Sequence, residues 1–548
     1  MPVLEPQQAP PPQYYADNLL AVVLHIERYQ HSLMGPLGSR LIDTLKGLSS
    51  DGLRLFARLL MRSTPVIRTD SLHYAEIEDP QAALAELEHR DLIESQAPVP
   101  ADALLARLKT AEIRELFAQR LPEPPPRQTT KARLVATLLS QFDDAEICRH
   151  AATQFGWLRL TAADAVAELR LIYFGDEYRD FTEFVMRDLG ITAFETYDFD
   201  TASHAFADPA EQGRYRELTQ LARLPLARRA SALDWLLSAC RDGRYAGRAL
   251  ERRRDRLLIA WGRDFERLEA DTFALGCFQH AYLHPARERE VRTRKRRGED
   301  VTALLETLRT QPRSAEERLF AERFGRRSAA VWPETQWRSL TPKVERVEAR
   351  VASLLTANGG QAWHVENALL PTLLALAFWP VLFAPVEGMF THPFQRGPRD
   401  LFWPDFRSRR AAAIDTRFDE LAAPGALWRA IGETARDKWG YACALVHWRR
   451  DLPQLLDIAQ RCMTPGRLLA VFDTMLDDLA QARSGLPDLF VYYGAGERER
   501  FEFVEVKGPG DSLQPNQRVW LERLISQGLP CRVLRLRHYK PPRQARGA

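Results

Sequence analysis

The sequence predicts an α-rich, multidomain protein that ends in an α/β domain. The chain has 548 residues, of which 45% are hydrophobic and 27% are charged, so it has room for three or four domains with adequate cores. Apolar residues recur at helical spacing over most of the first 350 residues. Two short runs rich in Val, Phe and Tyr follow between residues 486 and 507, where they predict strands.

The first predicted region covers residues 1–100. Its apolar residues keep helical spacing from residue 17 to residue 89. This spacing fits a winged-helix-like unit and a plain helical unit equally well, so both alternatives stay open.

Residues 101–142 are predicted to form a small helical module. A helix near residues 104–116 is followed by a loop and a second helix that begins at Lys131, with Thr130 placed to cap it. This order of helix, loop and Lys-Ala-x-Leu helix resembles a SAP module, which contacts the DNA backbone. An ordinary helical hairpin is the alternative, because the loop lacks the usual Gly. Lys131 and Arg133 are the candidate phosphate contacts.

Residues 143–355 are predicted to be nearly all helical. The segments 239–263 and 272–292 each look like one arm of a helical repeat, which indicates TPR-like helix pairs without the full consensus. Arginines cluster in this region, around Arg256 and again over residues 287–297. Such runs are often the solvated face of a helix, but a cluster of Arg side chains can also bind phosphate groups bidentately.

The strongest chemical pattern lies in the last region, residues 356–548. The runs at 486–493 and 501–507 predict a hairpin of two strands. Because alternate residues of a strand point to opposite faces, Glu505 and Lys507 share one face. Asp488, at the start of the neighbouring strand, can join them.

These residue types suit a divalent metal site. Mg²⁺ and Mn²⁺ prefer oxygen ligands, and Mg²⁺ is usually held by one or two protein carboxylates together with substrate phosphate. Asp488 and Glu505 would hold the metal, and the carbonyl of Val506 could add a ligand. Lys507 could position or deprotonate the attacking water and offset phosphate charge. A solvated strand edge that carries Glu and Lys is the alternative origin of this triplet.

The pattern Pro-Asp, a spacer and Glu-Val-Lys resembles the PD-(D/E)XK nuclease signature. A wider set of residues resembles the VRR-NUC form of that fold and, within it, the Fanconi-associated nuclease family. The resemblance spans residues 361–537 with high specificity and rests on residues 364–367, 392–396, 485–488, 504–509, Asp511, Leu513, Gln517, Trp520, Gly528 and Val533.

The resemblance implies further site residues. It places a third metal-binding carboxylate at Glu366 and makes Gln517 a candidate DNA contact. It also gives the arginine clusters a role, because a nuclease that works from a 5′ end needs a pocket for the terminal phosphate. Arg256, Arg287 and Arg289 are the candidates for that pocket.

The resemblance also implies the function: a metal-dependent, structure-selective DNA nuclease that cuts 5′ flaps, degrades DNA from 5′ to 3′ and acts in interstrand crosslink repair. The expected partners are branched DNA, 5′ flaps and 5′-phosphorylated ends, bound by a monomer. A Holliday-junction resolvase-like nuclease is one alternative, although the large helical region argues against it. A non-catalytic DNA-binding scaffold is the other, although the intact set of acidic residues and Lys507 argues against it.

Composition excludes several classes of protein. A net charge of +3 is too small for a global polycation, and six cysteines without a CxxC pair argue against a zinc finger or a disulfide framework. The uncharged stretch 368–386 is interrupted by three prolines, so it predicts a buried helix rather than a membrane span. Without a signal segment at the start, the expectation is a cytoplasmic protein of the compact bacterial form, associated with the nucleoid when it acts on DNA.

Overall fold

The computed structural model describes residues 13–538 except 63, 65, 119, 121–125, 127, 176–191, 202, 326–331, 340–345 and 495–498. The first twelve residues of the predicted region 1–100 therefore lie outside the described residues, as do parts of the loop in the predicted SAP-like module. The chain divides into two compact units. Among the described residues, the N-terminal unit contains those from 13 to 209 together with 391–394, and the C-terminal unit contains those from 210 to 390 and from 395 to 538.

The N-terminal unit is built from helices and three short strands. In chain order they are α1 (Tyr14–Tyr29), α2 (Pro36–Lys46), α3 (Ser50–Leu60), β1 (Ile67–Arg68), α4 (Pro80–His89), β2 (Ile93–Ser95), α5 (Ala101–Arg107), α6 (Thr110–Phe117), α7 (Lys131–Gln141), α8 (Asp144–Ala151), β3 (Trp157–Leu160) and α9 (Ala163–Phe174), with 3₁₀ turns at His31–Leu33 and Thr69–Ser71.

The three strands form an antiparallel sheet in the order β1-β3-β2. Helices α5 to α8 are therefore an insertion between the second and third strands of one sheet. Strand β3 is an exception within residues 143–355, which were predicted to be nearly all helical. The strand has only four residues, and Trp157 and Leu158 are both buried, so the alternation that identifies a strand is missing from its sequence.

The helical part of the C-terminal unit packs around its own apolar core. Its elements are α10 (Pro209–Ala222), α11 (Leu226–Arg241), α12 (Arg248–Arg267), α13 (Asp271–Gln279), α14 (Ala286–Arg296), α15 (Thr302–Thr310) and α16 (Ala315–Arg323). The predicted helical arm 272–292 is broken between α13 and α14. Pro285 lies directly before the first residue of α14. A proline lacks the N–H that a continuous helix needs, and it is accepted here at a helix start.

The remaining elements form a sheet with helices. They are β4 (Glu334–Ser339), α17 (Val347–Ala357), β5 (Gln361–His364), α18 (Leu369–Ala377), α19 (Trp379–Leu382), α20 (Phe406–Arg409), α21 (Ala411–Ala422), α22 (Ala426–Asp437), α23 (Leu452–Cys462), α24 (Pro465–Asp477), a 3₁₀ turn (Gln481–Arg483), β6 (Leu489–Tyr493), β7 (Arg500–Lys507), α25 (Pro515–Ser526) and β8 (Cys531–His538).

The sheet has the order β4-β8-β7-β6-β5. The predicted hairpin is present as β6 and β7, which pair antiparallel with Leu489 opposite Val504. Strand β8 runs parallel to both β7 and β4. The predicted boundary at residue 356 therefore cuts through this sheet, because β4 begins at Glu334. The six residues of β4 contain no continuous apolar run, so this strand was not predicted.

The two faces of the hairpin bury different residues. Phe503 packs into the large core that contains Trp520, whereas Val504 and Val506 pack against α17 through residues such as Leu355. This is the alternation predicted for β7. The apolar stretch after Glu366 forms α18 and α19, and every residue of α18 is buried. Among the described residues, no helix is both long and apolar enough to cross a membrane.

Candidate active site

The structure brings Asp488, Glu505 and Lys507 together at the centre of the five-stranded sheet. Asp488 lies directly before β6, and its Oδ2 accepts a 2.7 Å hydrogen bond from the N–H of Val506 in β7. The Nζ of Lys507 lies 3.0 Å from Oε1 of Glu505. All three side chains are buried, and Glu505 has no exposed surface. Pairing of adjacent strands thus fixes a compact acidic site with one ammonium group.

A close backbone contact positions the segment that carries Asp488. Gly485 has φ of +86°, and a Cβ added there would lie 2.8 Å from the carbonyl carbon of Asn516 at the start of α25. Only glycine accepts both the left-handed backbone and this approach. The turn before β6 is therefore held against α25 three residues before Asp488.

Burial and like charges disturb the titration of the two acidic residues. Burial and, to a smaller extent, the Asp488 carboxylate together raise the pKa of Glu505 to about 8, and Lys507 opposes the rise. Burial also raises the pKa of Asp488 to about 6, while the Val506 N–H opposes this and Glu366 adds to it. Two buried carboxylates side by side favour proton uptake unless a cation neutralises them.

The donor set fits a divalent cation. Neither carboxylate oxygen of Glu505 accepts a well-formed hydrogen bond from the described residues, although the ion pair with Lys507 is close. A buried carboxylate that lacks hydrogen bonds is costly. A hard cation that prefers oxygen ligands would satisfy it. Asp488 and Glu505 are thus suited to hold such an ion.

Glu366 reaches the same site from the turn after β5. His364, Glu366 and Asp488 each offer a ligand atom, and these atoms lie within 4.8 Å of one another. The side chain of Asn367, which has φ of +51°, donates a 3.1 Å hydrogen bond to Glu366 and accepts one of 3.1 Å from the N–H of Leu486. His364 and Asn367 belong to the segment 364–367 on which the family resemblance rests, but they were not among the predicted site residues.

The raised pKa values lead to a prediction about stability without metal. Glu505 keeps its proton in the folded protein up to about pH 8 but loses it in the unfolded chain near its ordinary pKa of 4.5. The metal-free protein should therefore lose stability as the pH rises across this range. Glu505→Gln removes the effect, so without metal the variant should be more stable than wild type near pH 8, by up to roughly 5 kcal/mol. The difference should disappear near about pH 5.

Thermal unfolding in chelator at both pH values measures this difference. Glu502→Gln is the matched control, because Glu502 lies on the same strand but pairs with Arg532. A Glu505→Gln variant that is less stable than wild type at the higher pH would contradict the raised pKa of the buried Glu505 carboxylate.

Two of the three predicted arginines, Arg287 and Arg289, have carboxylate partners and do not line the groove that Arg256 lines. Arg287 is paired with Glu317, whose side chain is fully buried, and Arg289 lies 3.3 Å from Glu266. Other arginines of the run 287–297 also have carboxylate partners: Arg292, Arg294, Arg296 and Arg297. Much of the positive charge of this run is therefore neutralised by carboxylates. The partners Glu266 and Glu317 could not be identified from the sequence, because they are distant from the run along the chain.

Arg256 instead lines a groove of about 510 Å³ in the C-terminal unit. Arg252, Arg263 and Arg313 line the same groove, which we call the arginine groove. Arg252 donates a 2.6 Å hydrogen bond to the carbonyl of Phe402, and burial together with the charge of Arg256 lowers its pKa to about 10. A pKa lowered in this way indicates that a bound anion would be favourable. Two acidic residues at 477 and 478 also line the groove.

The other predicted DNA contacts have these surroundings. Lys131 donates a 2.8 Å hydrogen bond from Nζ to the carbonyl of Ala106, and Arg133 is exposed on α7. Thr130 caps this helix as predicted, since its hydroxyl accepts from the N–H of Arg133. The side-chain oxygen of Gln517 accepts a 2.9 Å hydrogen bond from the N–H of Gln514 and so caps α25.

Known proteins resemble both parts of this chain. The VRR-NUC domain family matches residues 423–537, and the FAN1 HTH domain family matches residues 13–94. The second match agrees with the winged-helix-like alternative for the first region. A Fanconi-associated nuclease 1 homolog from Pseudomonas aeruginosa is 31% identical, and the alignment covers 98% of this chain and 98% of the relative. The homolog from Schizosaccharomyces pombe is 31% identical over 38% of this chain and 29% of the relative.

Solved structures resemble nearly the whole fold. The crystal structure of paFAN1 bound to 5′ flap DNA with a 2-nucleotide flap and a gap matches with a TM-score of 0.84 and 30% identity, covering 97% of this chain and 99% of that one. The complex with a 1-nucleotide flap matches with a TM-score of 0.82 and 28% identity, covering 97% and 100%. With sequence and fold similar over almost its whole length, this chain belongs to the Fanconi-associated nuclease 1 family.

Proposed function

We propose that this chain is a structure-selective DNA nuclease that cuts 5′ flaps, degrades DNA from 5′ to 3′ and acts in interstrand crosslink repair. The observation that carries the proposal is the buried group of Asp488, Glu505 and Lys507 in a chain whose fold matches flap-bound relatives over 97% of its length. A VRR-NUC domain indicates dependence on a divalent metal. Mg²⁺ or Mn²⁺ is the ion that suits these oxygen ligands.

The site residues take separate roles in phosphodiester hydrolysis. Asp488 and Glu505, with the carbonyl of Val506, would hold the ion, and Glu366 would complete the acidic set. When bound, a divalent cation supplies charge stabilisation at the scissile phosphate. Lys507, whose Nζ lies beside Glu505, would orient the attacking water and offset developing charge on the phosphate as an ammonium, or accept the proton of that water as a neutral amine.

The arginine groove supplies the proposed site for a 5′-terminal phosphate. Arg256, named from the sequence, acts there together with Arg252, Arg263 and Arg313. Guanidinium groups bind phosphate bidentately, which would set a fixed distance from the strand end to the acidic site. Of the three predicted residues, Arg256 alone keeps this role. Arg287 and Arg289 stabilise the helical scaffold through their carboxylate partners.

Three further parts of the chain support DNA binding in this proposal. Helices α5 to α7 act as a SAP-like module whose Lys131 and Arg133 contact the phosphate backbone. Helices α10 to α16 act as a TPR-like scaffold. Gln517, at the start of α25, contributes a further contact to the DNA backbone next to the acidic site.

Cleavage of labelled branched DNA tests the proposed function. We expect a monomer to cut a 5′ flap near its junction in the presence of Mg²⁺ or Mn²⁺, and to cut a four-way junction at least about tenfold more slowly. Symmetric paired nicks in the four-way junction by a dimer would instead support a resolvase. DNA binding without any metal-dependent cleavage would support a non-catalytic scaffold.

A further inference from the structure

Resting on the proposed function, we propose that Tyr282 is a stacking platform for the nucleobase of the 5′-terminal nucleotide. This tyrosine lies in the segment between α13 and α14 and lines the arginine groove. Its side chain is not used by the acidic site. Three features of Tyr282 support this role: its backbone is rigid, its ring is exposed and positive charge lies around it.

The backbone of this segment is fixed by a buried carboxylate. Oδ2 of Asp255 accepts hydrogen bonds from the N–H groups of Tyr282 at 2.8 Å and Leu283 at 3.1 Å. Its other oxygen accepts from the guanidinium of Arg254 at 2.8 Å. Asp255 is only 2% exposed, so these bonds are shielded from water. The segment is thus held in one conformation before any ligand arrives.

The ring of Tyr282 is oriented but remains open. Its side chain is 55% exposed, which is unusual for a large aromatic residue on a rigid segment. The guanidinium of Arg313 lies 4.0 Å from the ring centroid, and its Nη1 donates a 3.2 Å hydrogen bond to the carbonyl of Tyr282. A cation on one face orients the ring, and the exposed remainder can accept a second planar group.

The surrounding charge indicates which planar group that is. Tyr282 lines the arginine groove together with Arg252, Arg256 and Arg263, and it also lines a neighbouring pocket of about 260 Å³ that includes Trp403. Guanidinium groups beside an exposed aromatic ring are the combination that binds single-stranded DNA, with phosphates on the cations and bases on the ring. A terminal phosphate held in the groove would place its own base beside Tyr282.

Fluorescence of 2-aminopurine tests this contact without cleavage. The probe is a flap duplex with 2-aminopurine as its 5′-phosphorylated terminal nucleotide, bound to the full chain in chelator. Stacking on Tyr282 should quench the emission of the probe on binding. Tyr282→Ala should abolish the quenching and weaken binding by about tenfold, whereas Tyr282→Phe should keep both. Trp235→Ala, at an exposed aromatic residue outside the groove, should behave as wild type.

A flap whose terminal nucleotide lacks its base completes the test. Wild type should bind this abasic flap about tenfold more weakly than the intact flap, and Tyr282→Ala should bind the two equally. Wild type that cuts phosphorylated flaps but does not distinguish the abasic one would overturn the stacking inference alone. Absence of flap cleavage by wild type would instead remove the proposed function. Retained quenching in Tyr282→Ala would place the terminal base elsewhere and leave Tyr282 as a surface for protein contact.

Discussion

Glu505→Gln is expected to lower the rate of 5′ flap cleavage by at least about a thousandfold, because a metal site that loses one of its two buried carboxylates loses several kcal/mol of charge stabilisation. The affinity for DNA should stay within about twofold of wild type, since phosphate attraction comes from Arg and Lys side chains. Single-turnover cleavage and fluorescence anisotropy in chelator measure the two quantities.

Glu502→Gln is the control for a carboxylate change on the same strand, and it should cleave at nearly the wild-type rate. Its carboxylate lies on the opposite face of β7 and pairs with Arg532. Full cleavage by Glu505→Gln would remove the active-site assignment. Loss of both cleavage and DNA binding would indicate a damaged fold, which circular dichroism of the variant would detect.

The double substitution Arg256→Ala with Arg263→Ala should remove about a hundredfold of the preference for a phosphorylated flap. Each charge-assisted contact to phosphate contributes roughly 1.5 to 3 kcal/mol. The comparison is between flaps that carry a 5′ phosphate and flaps that carry a 5′ hydroxyl, cut by wild type and by the variant. Activity on the hydroxyl flap should change much less.

Arg287→Ala with Arg289→Ala is the matched control, since both residues pair with carboxylates and do not line the groove. This variant should lose stability but keep the preference for phosphate. If wild type cuts both flaps equally, the terminal-phosphate site is wrong. If only the control variant loses the preference, the chain binds the terminal phosphate through Arg287 and Arg289 instead.

The acidic site could be predicted from the sequence because its geometry is local. Asp488 and Glu505 lie on two strands of one hairpin, so strand pairing and side-chain alternation suffice to bring them together. Lys507 follows Glu505 by two residues on the same face of β7, and its Nζ lies 3.0 Å from Oε1 of Glu505. Glu366 was placed by family resemblance, and the structure adds its neighbours His364 and Asn367.

The arginine groove could not be predicted, because density of charge along the sequence does not determine which charges remain unpaired. Arg287 has its partner thirty residues away, and Arg313 reaches the groove from outside the dense clusters. Strand β4 was missed for a related reason. It joins the sheet by pairing with β8, which lies about two hundred residues further along the chain.

We propose that Asp488, Glu505 and the carbonyl of Val506 hold the catalytic metal beside Lys507. Anomalous diffraction from crystals of this chain soaked in Mn²⁺ tests this assignment. We expect an anomalous peak within about 2.5 Å of oxygens from Asp488 and Glu505, and no such peak in crystals of Glu505→Gln. A peak elsewhere in the chain, or an unchanged peak in the variant, would show that these residues do not hold the ion.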